Sequence, residues 1–122
     1  MNSKVFMVVR ILLGLFVLFF GLNKFFHFMD MGDMSAEAGA YFGALSSAKV
    51  ITLVAIVEIV AGVGLIFNKY GALLALILMS ISVNAVLFHA TLEPGSIGGA
   101  LALLVLNVIV LYGYKDSYKS LF

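Results

Sequence analysis

Residues 5–23 read VFMVVRILLGLFVLFFGLN, nineteen positions between Lys4 and Lys24 that carry one charge, Arg10. A hydrocarbon core about 30 Å thick needs roughly 20 apolar residues in helix, so this stretch has the length of a membrane span. Its 14 Ile, Leu, Val and Phe residues, at about −0.3 to −0.6 kcal/mol each, outweigh roughly +3 kcal/mol for a single arginine. Three further stretches repeat the pattern. Val50 to Asn68 carries only Glu58, while Tyr70 to Leu92 and Pro94 to Tyr114 carry no Asp, Glu, Lys or Arg at all. The expectation is an all-α chain forming one four-helix transmembrane domain over residues 1–122, with spans at about 5–26, 48–68, 70–90 and 95–114.

Composition points the same way. Of 122 residues, 64% are hydrophobic and only seven basic and six acidic ones occur, with a mean hydropathy of +1.20. Soluble domains average about 45–50% apolar and about 25% charged, so a water-soluble fold is excluded. A net charge of +1 supplies no basic surface for nucleic acid. The absence of cysteine excludes disulfides, thiolate metal sites and dithiol chemistry.

The connections set the topology. Asn68-Lys69-Tyr70-Gly71 is a minimal turn, and Pro94, the only proline, stands at or just before the first turn of the last span. Short connections make these neighbours antiparallel. The long connection from Lys24 to Lys49 contains Ser35 followed by Ala36, Glu37, Ala38, Ala40 and Tyr41, a capped short helix expected at the membrane interface. Lys4, Arg10, Lys69, Lys115 and Lys119 collect on one side and Lys24 and Lys49 on the other. This bias places both termini in the cytoplasm.

Ionisable and amide groups inside the spans are the candidate functional residues, because lipid does not hydrate them. Arg10 lies about 8 Å from the cytoplasmic end of its span, Glu58 about 15 Å and Asn107 about 10 Å, at 1.5 Å per residue. The three are expected to form one buried network, serving either as a packing lock or as a ligand site. Arg10, Gly14, Val17, Gly21 and Lys24 share one helical stripe, Glu58 shares another with Ile51, Gly62 and Leu65, and Ser80 and Asn84 form a polar step on the third span. Small residues on such stripes permit close helix contact. Toward the outer side stand Asn23, Lys24, His27 and His89, with Asp30 and Glu93 near in sequence. The two histidines are read as interfacial side chains rather than metal ligands, and Met29, Met31 and Met34 are too scattered for a copper site.

In order and spacing, RILLGLFVLFFGLNK (10–24), VEIVAGVGLIF (57–67) and NAVLFH (84–89) resemble the DoxX family of small four-span membrane proteins. The first stretch is similar to that family's opening Arg, Gly and Gly-Lys helix, the second to its Glu, Gly, Leu helix, and the third to its aromatic-histidine ending. The resemblance implies a four-helix bundle. For some relatives it implies a membrane subunit of a thiosulfate:quinone oxidoreductase or part of an oxidative-stress complex. Arg10, Lys24, Glu58 and His89 match the family's motifs and, with Asn84 and Asn107, are the ligand-binding candidates. The resemblance also leads to the expected function, a bacterial inner-membrane subunit that binds a quinone or similar lipophile and supports a soluble oxidoreductase partner. It would have no covalent cofactor, and homo-oligomers are compatible with this role. The alternative is a non-catalytic lipid-binding or assembly protein.

Overall fold

A computed structural model describes residues 2–26, 35–92 and 94–121. The expectations attached to His27, Met29, Asp30, Met31, Met34 and Glu93 fall outside these residues. Among the described residues five α-helices follow one another, α1 (Ser3–Phe26), α2 (Ala36–Ser47), α3 (Val50–Ile66), α4 (Gly71–Leu92) and α5 (Ile97–Gly113). A 3-10 turn at Pro94–Ser96 precedes α5 and a 3-10 segment, Lys115–Leu121, follows it. Among the described residues there is no strand.

Two of the helices, α1 with 24 residues and α4 with 22, are long and apolar enough to cross a membrane. The helices α3 and α5 have 17 residues each. A sharp bend of 80° joins α2 to α3, and if that pair is taken as one broken span the long apolar segments number three. The expected short helix is present as α2, with Ser35 as its N-cap. The Ser35 hydroxyl accepts a hydrogen bond from the Ala38 amide at 3.2 Å, satisfying one orphan donor of the first turn.

The tightest packing is between α1 and α3, and glycine makes it possible. A Cβ placed on Gly14 would lie 2.8 Å from the Gly62 carbonyl oxygen, and one on Gly62 would lie 2.8 Å from that of Gly14. One turn pair further along, a Cβ on Gly21 would lie 3.0 Å from the Ala55 carbonyl oxygen. The backbones therefore touch where side chains would stand, as small residues allow between membrane helices. These contacts also fix an antiparallel register, with Gly14 level with Gly62, Gly21 with Ala55, and Arg10 with Ile66.

At the opposite end from α2, three elements meet. The Tyr114 hydroxyl donates to Asn68 Oδ1, the Tyr118 hydroxyl donates to the Ala72 carbonyl at 2.6 Å, and Phe6 packs edge-on to Tyr114 at 4.9 Å. The start of α1, the α3–α4 turn and the end of α5 thus share one end of the molecule. Lys4, Lys69, Lys115 and Lys119 belong to these segments, so we call it the basic end.

Leu13, Val17, Ala61, Leu65, Ala75, Leu78, Leu103 and Val110 form the buried core. The exterior is just as apolar, with Leu12, Leu15, Leu53, Val60, Leu73, Leu87 and Val105 each half-exposed or more. Helices apolar on all faces suit a hydrocarbon surround, because water would make that exterior costly.

Candidate functional site

The register of α1 against α3 decides which charges meet. Level with Ile66, Arg10 lies eight residues, about 12 Å, along the pair from Glu58. Counting depth from Val5 and Asn68 makes that offset about 7 Å, because it treats those two residues as level; in the observed register Asn68 stands level with Val8, three residues further along α1 than Val5. Side chains on a helix also lean toward its N-terminus. In an antiparallel pair Arg10 and Glu58 therefore lean apart, whereas Lys24 and Glu58 lean toward each other.

Accordingly, the expected Arg10–Glu58–Asn107 network does not form, and its members go to three places. The partner of Glu58 is Lys24, with Nζ 2.6 Å from Oε1, and Glu58 is only 3% exposed. Arg10 donates through one guanidinium nitrogen to the Leu65 carbonyl and, at 3.1 Å, to that of Ile66. These are last-turn carbonyls of α3, of which that of Leu65 also accepts from the Asn68 amide at 3.4 Å, so the cation adds a charged donor to the helix end and faces the negative end of the helix dipole. Asn107 donates from Nδ2 to the Ala75 carbonyl at 3.0 Å and accepts from the Ser82 hydroxyl at 2.7 Å, joining α5 to α4. Ser82, which is fully buried, is the polar residue of α4 that the Ser80–Asn84 step does not reveal.

Arg10→Met is accordingly expected to weaken the fold without touching the Lys24–Glu58 region. Unfolding of the purified variant in detergent should show a loss of about 1–3 kcal/mol, the cost of leaving buried acceptors without their charged donor.

Lys24 and Glu58 stand on the wall of a partly open cavity of about 530 Å³ lined by residues of all five helices. From α1 come Phe16, Phe20 and Asn23, from α3 Ile51 and Val54, and from α5 Gly99, Ala100 and Leu103. Asn84 and His89 line it from α4, together with Ser80 and Phe88. Four of the six candidates, Lys24, Glu58, Asn84 and His89, thus share one space, and Arg10 and Asn107 lie outside it. The short helix α2 contributes Tyr41, Phe42 and Leu45. Tyr41 stacks on Phe88 with centroids 5.3 Å apart and 24° between planes, and Phe42 meets the same ring edge-on at 5.1 Å. These α2 positions are the part of the site that sequence reasoning missed. An aromatic pair three and four residues after an N-terminal Ala38 that packs inward was the only signal available.

Chemically, the arrangement offers a carboxylate from the middle of α3 paired with an ammonium from the last turn of α1, on a mostly apolar, aromatic-walled space to which Asn23, Ser80, Asn84 and His89 add polar groups. No group of three or more His, Cys, Asp or Glu able to hold a metal occurs among the described residues.

A family model described as DoxX matches residues 5–91. No curated protein and no solved structure gave a significant match.

Proposed function

The chain belongs to the DoxX family and is an integral membrane protein; on that premise we propose that it crosses the bacterial inner membrane four times and binds a quinone or similar lipophile beside Lys24 and Glu58. In this reading it is the membrane subunit that supports a soluble oxidoreductase.

Four crossings are supported by length. A 17-residue α5 rises about 26 Å, and the Pro94–Ser96 turn at about 2 Å per residue brings the segment to the thickness of the hydrocarbon core. The α3 helix has the same length and continues into the Phe67–Tyr70 turn. Lysines gathered at the basic end favour placing that end in the cytoplasm.

The observation that carries the ligand reading is the buried Lys24–Glu58 pair on the wall of a 530 Å³ cavity. That volume lies in the range of small-molecule sites, which combine apolar walls with a few convergent polar groups. A quinone would supply two-electron carrier chemistry. The Lys24 ammonium suits a carbonyl oxygen and the Glu58 carboxylate suits a hydroxyl, so the pair orients either form of such a head group and holds a proton beside it. Phe16, Phe20, Tyr41 and Phe88 supply flat apolar walls that exclude water.

Organic extraction of gently purified protein followed by mass spectrometry tests this. Quinone should be enriched over the bulk membrane extract, and Glu58→Gln should lower its retention about tenfold, the effect of one lost charge-assisted hydrogen bond. A wild-type extract with no enriched quinone sinks the quinone reading. The apolar walls favour a second reading, in which a lipid chain occupies the cavity. Thermal stabilisation that follows lipid type and ignores redox state would identify it.

A further inference from the structure

We propose that the cavity is a one-sided half-pocket, open to water only from the end at which α2 lies, with α2 as its cover. This rests on the membrane-spanning reading above and adds to it the side from which the site exchanges water and protons.

Polarity is divided unequally along the bundle. Glu58 sits eight residues from either end of α3, at mid-depth. Every polar side chain of the cavity lies level with it or toward the α2 end: Ser80, Asn84 and His89 climb along α4, and Asn23 and Lys24 stand near the end of α1. Toward the basic end the same bundle is closed by Leu13, Val17, Leu65, Leu78 and Val110, all fully buried. Of the buried polar side chains on that side, Asn107 is held by Ser82 and Ala75, and Arg10 is turned away from the cavity toward the last carbonyls of α3, to which one guanidinium nitrogen donates while Nε keeps no partner among the described residues. Polar lining thus runs from the α2 end down to Glu58, and below it the buried side chains packed at the centre of the bundle are apolar.

Over this open end lies α2. It turns off α3 at 80° through Ala48 and Lys49, and Lys49 adopts a left-handed φ of 65°. Only Ala38 of its twelve residues is fully buried. Its hold on α4 comes from the Tyr41 and Phe42 rings on Phe88 and from the Ser35 hydroxyl, which donates to the Leu92 carbonyl at 3.1 Å. A helix with so small a buried face opens at lower cost than the rest of the bundle.

Because the chain has no cysteine, single-cysteine labelling reads this directly. In sealed vesicles, Ala44→Cys on α2 and Lys119→Cys at the basic end report the two sides to a membrane-impermeant thiol reagent. Asn84→Cys, and independently Ser80→Cys, should react only from the side that labels Ala44→Cys. Adding Ser35→Ala should speed that reaction about fivefold or more, the factor carried by one ordinary hydrogen bond. Labelling of Asn84→Cys or Ser80→Cys from the Lys119→Cys side, or no labelling of either while both controls react, overturns the proposal. Both controls reacting from one side would instead overturn the membrane topology, and ligand retention by extraction is independent of all these outcomes.

Discussion

Gly14→Leu is expected to eliminate recoverable folded protein, and Gly14→Ala to lower stability by about 1–3 kcal/mol. The reason is that the atom met by the new side chain is backbone. A Cβ at Gly14 lies 2.8 Å from the Gly62 carbonyl oxygen and 3.1 Å from the Ile66 amide nitrogen, and neither can move unless α3 moves as a whole. Separating the helices would also pull the Leu65 and Ile66 carbonyls from Arg10 and shift Glu58 relative to Lys24. Gly62→Ala should have a similar effect, since a Cβ there lies 2.8 Å from the Gly14 oxygen. Gly39→Ala provides the contrast. Nothing stands within 4 Å of a Cβ at Gly39, and alanine should strengthen α2 by up to about 1 kcal/mol. Detergent unfolding curves, with monodispersity by size exclusion, check all of these; a Gly14→Leu protein as stable as wild type would contradict the α1–α3 packing.

The second large effect is expected at Lys24. Lys24→Met leaves the Glu58 carboxylate almost fully buried without its cation, a change that costs about 3–5 kcal/mol when one partner of a buried pair is removed. Removing both charges is different. Lys24→Met with Glu58→Leu should regain most of that loss, because a pair of apolar side chains in the same space carries no desolvation cost. The double variant should still lose the ligand-retaining capacity, which separates a requirement for folding from a requirement for binding.

Much of this was legible in the sequence. Four apolar stretches, their charges and the Ser35 cap are read from local spacing, and α1, α2 and α4 stand where that spacing puts them. Inward placement was legible as well, since Gly14, Val17, Gly21, Glu58, Gly62 and Leu65 are buried as their stripes require. What was not legible was the pairing. Arg10 and Lys24 occupy the same stripe of α1, and choosing between them for Glu58 requires the axial register of two helices. Apolar helices without a marked polar face leave that register open. Gly14 meeting Gly62 settles it, and a shift of three residues along one helix is enough to hand the carboxylate from one cation to the other. Ser82 escaped for a related reason, as Ser80 and Asn84 are one helical turn apart and resemble an inward face, while the buried contact with Asn107 runs through the residue between them. The α2 wall depends on an 80° turn at Ala48 and Lys49 that no local signal specified.

The pairing of Glu58 is the point on which the site depends, and a double-mutant cycle measures it most directly. Lys24→Met, Arg10→Met and Glu58→Leu are combined pairwise and the unfolding free energies compared. Lys24 and Glu58 should be coupled by about 3 kcal/mol or more, because the second substitution regains most of the loss caused by the first, with Arg10 and Glu58 additive to within about 0.5 kcal/mol, as groups roughly 12 Å apart without shared partners are. Strong coupling of Glu58 to Arg10, with none to Lys24, would contradict the register, the ion pair and the placement of the site.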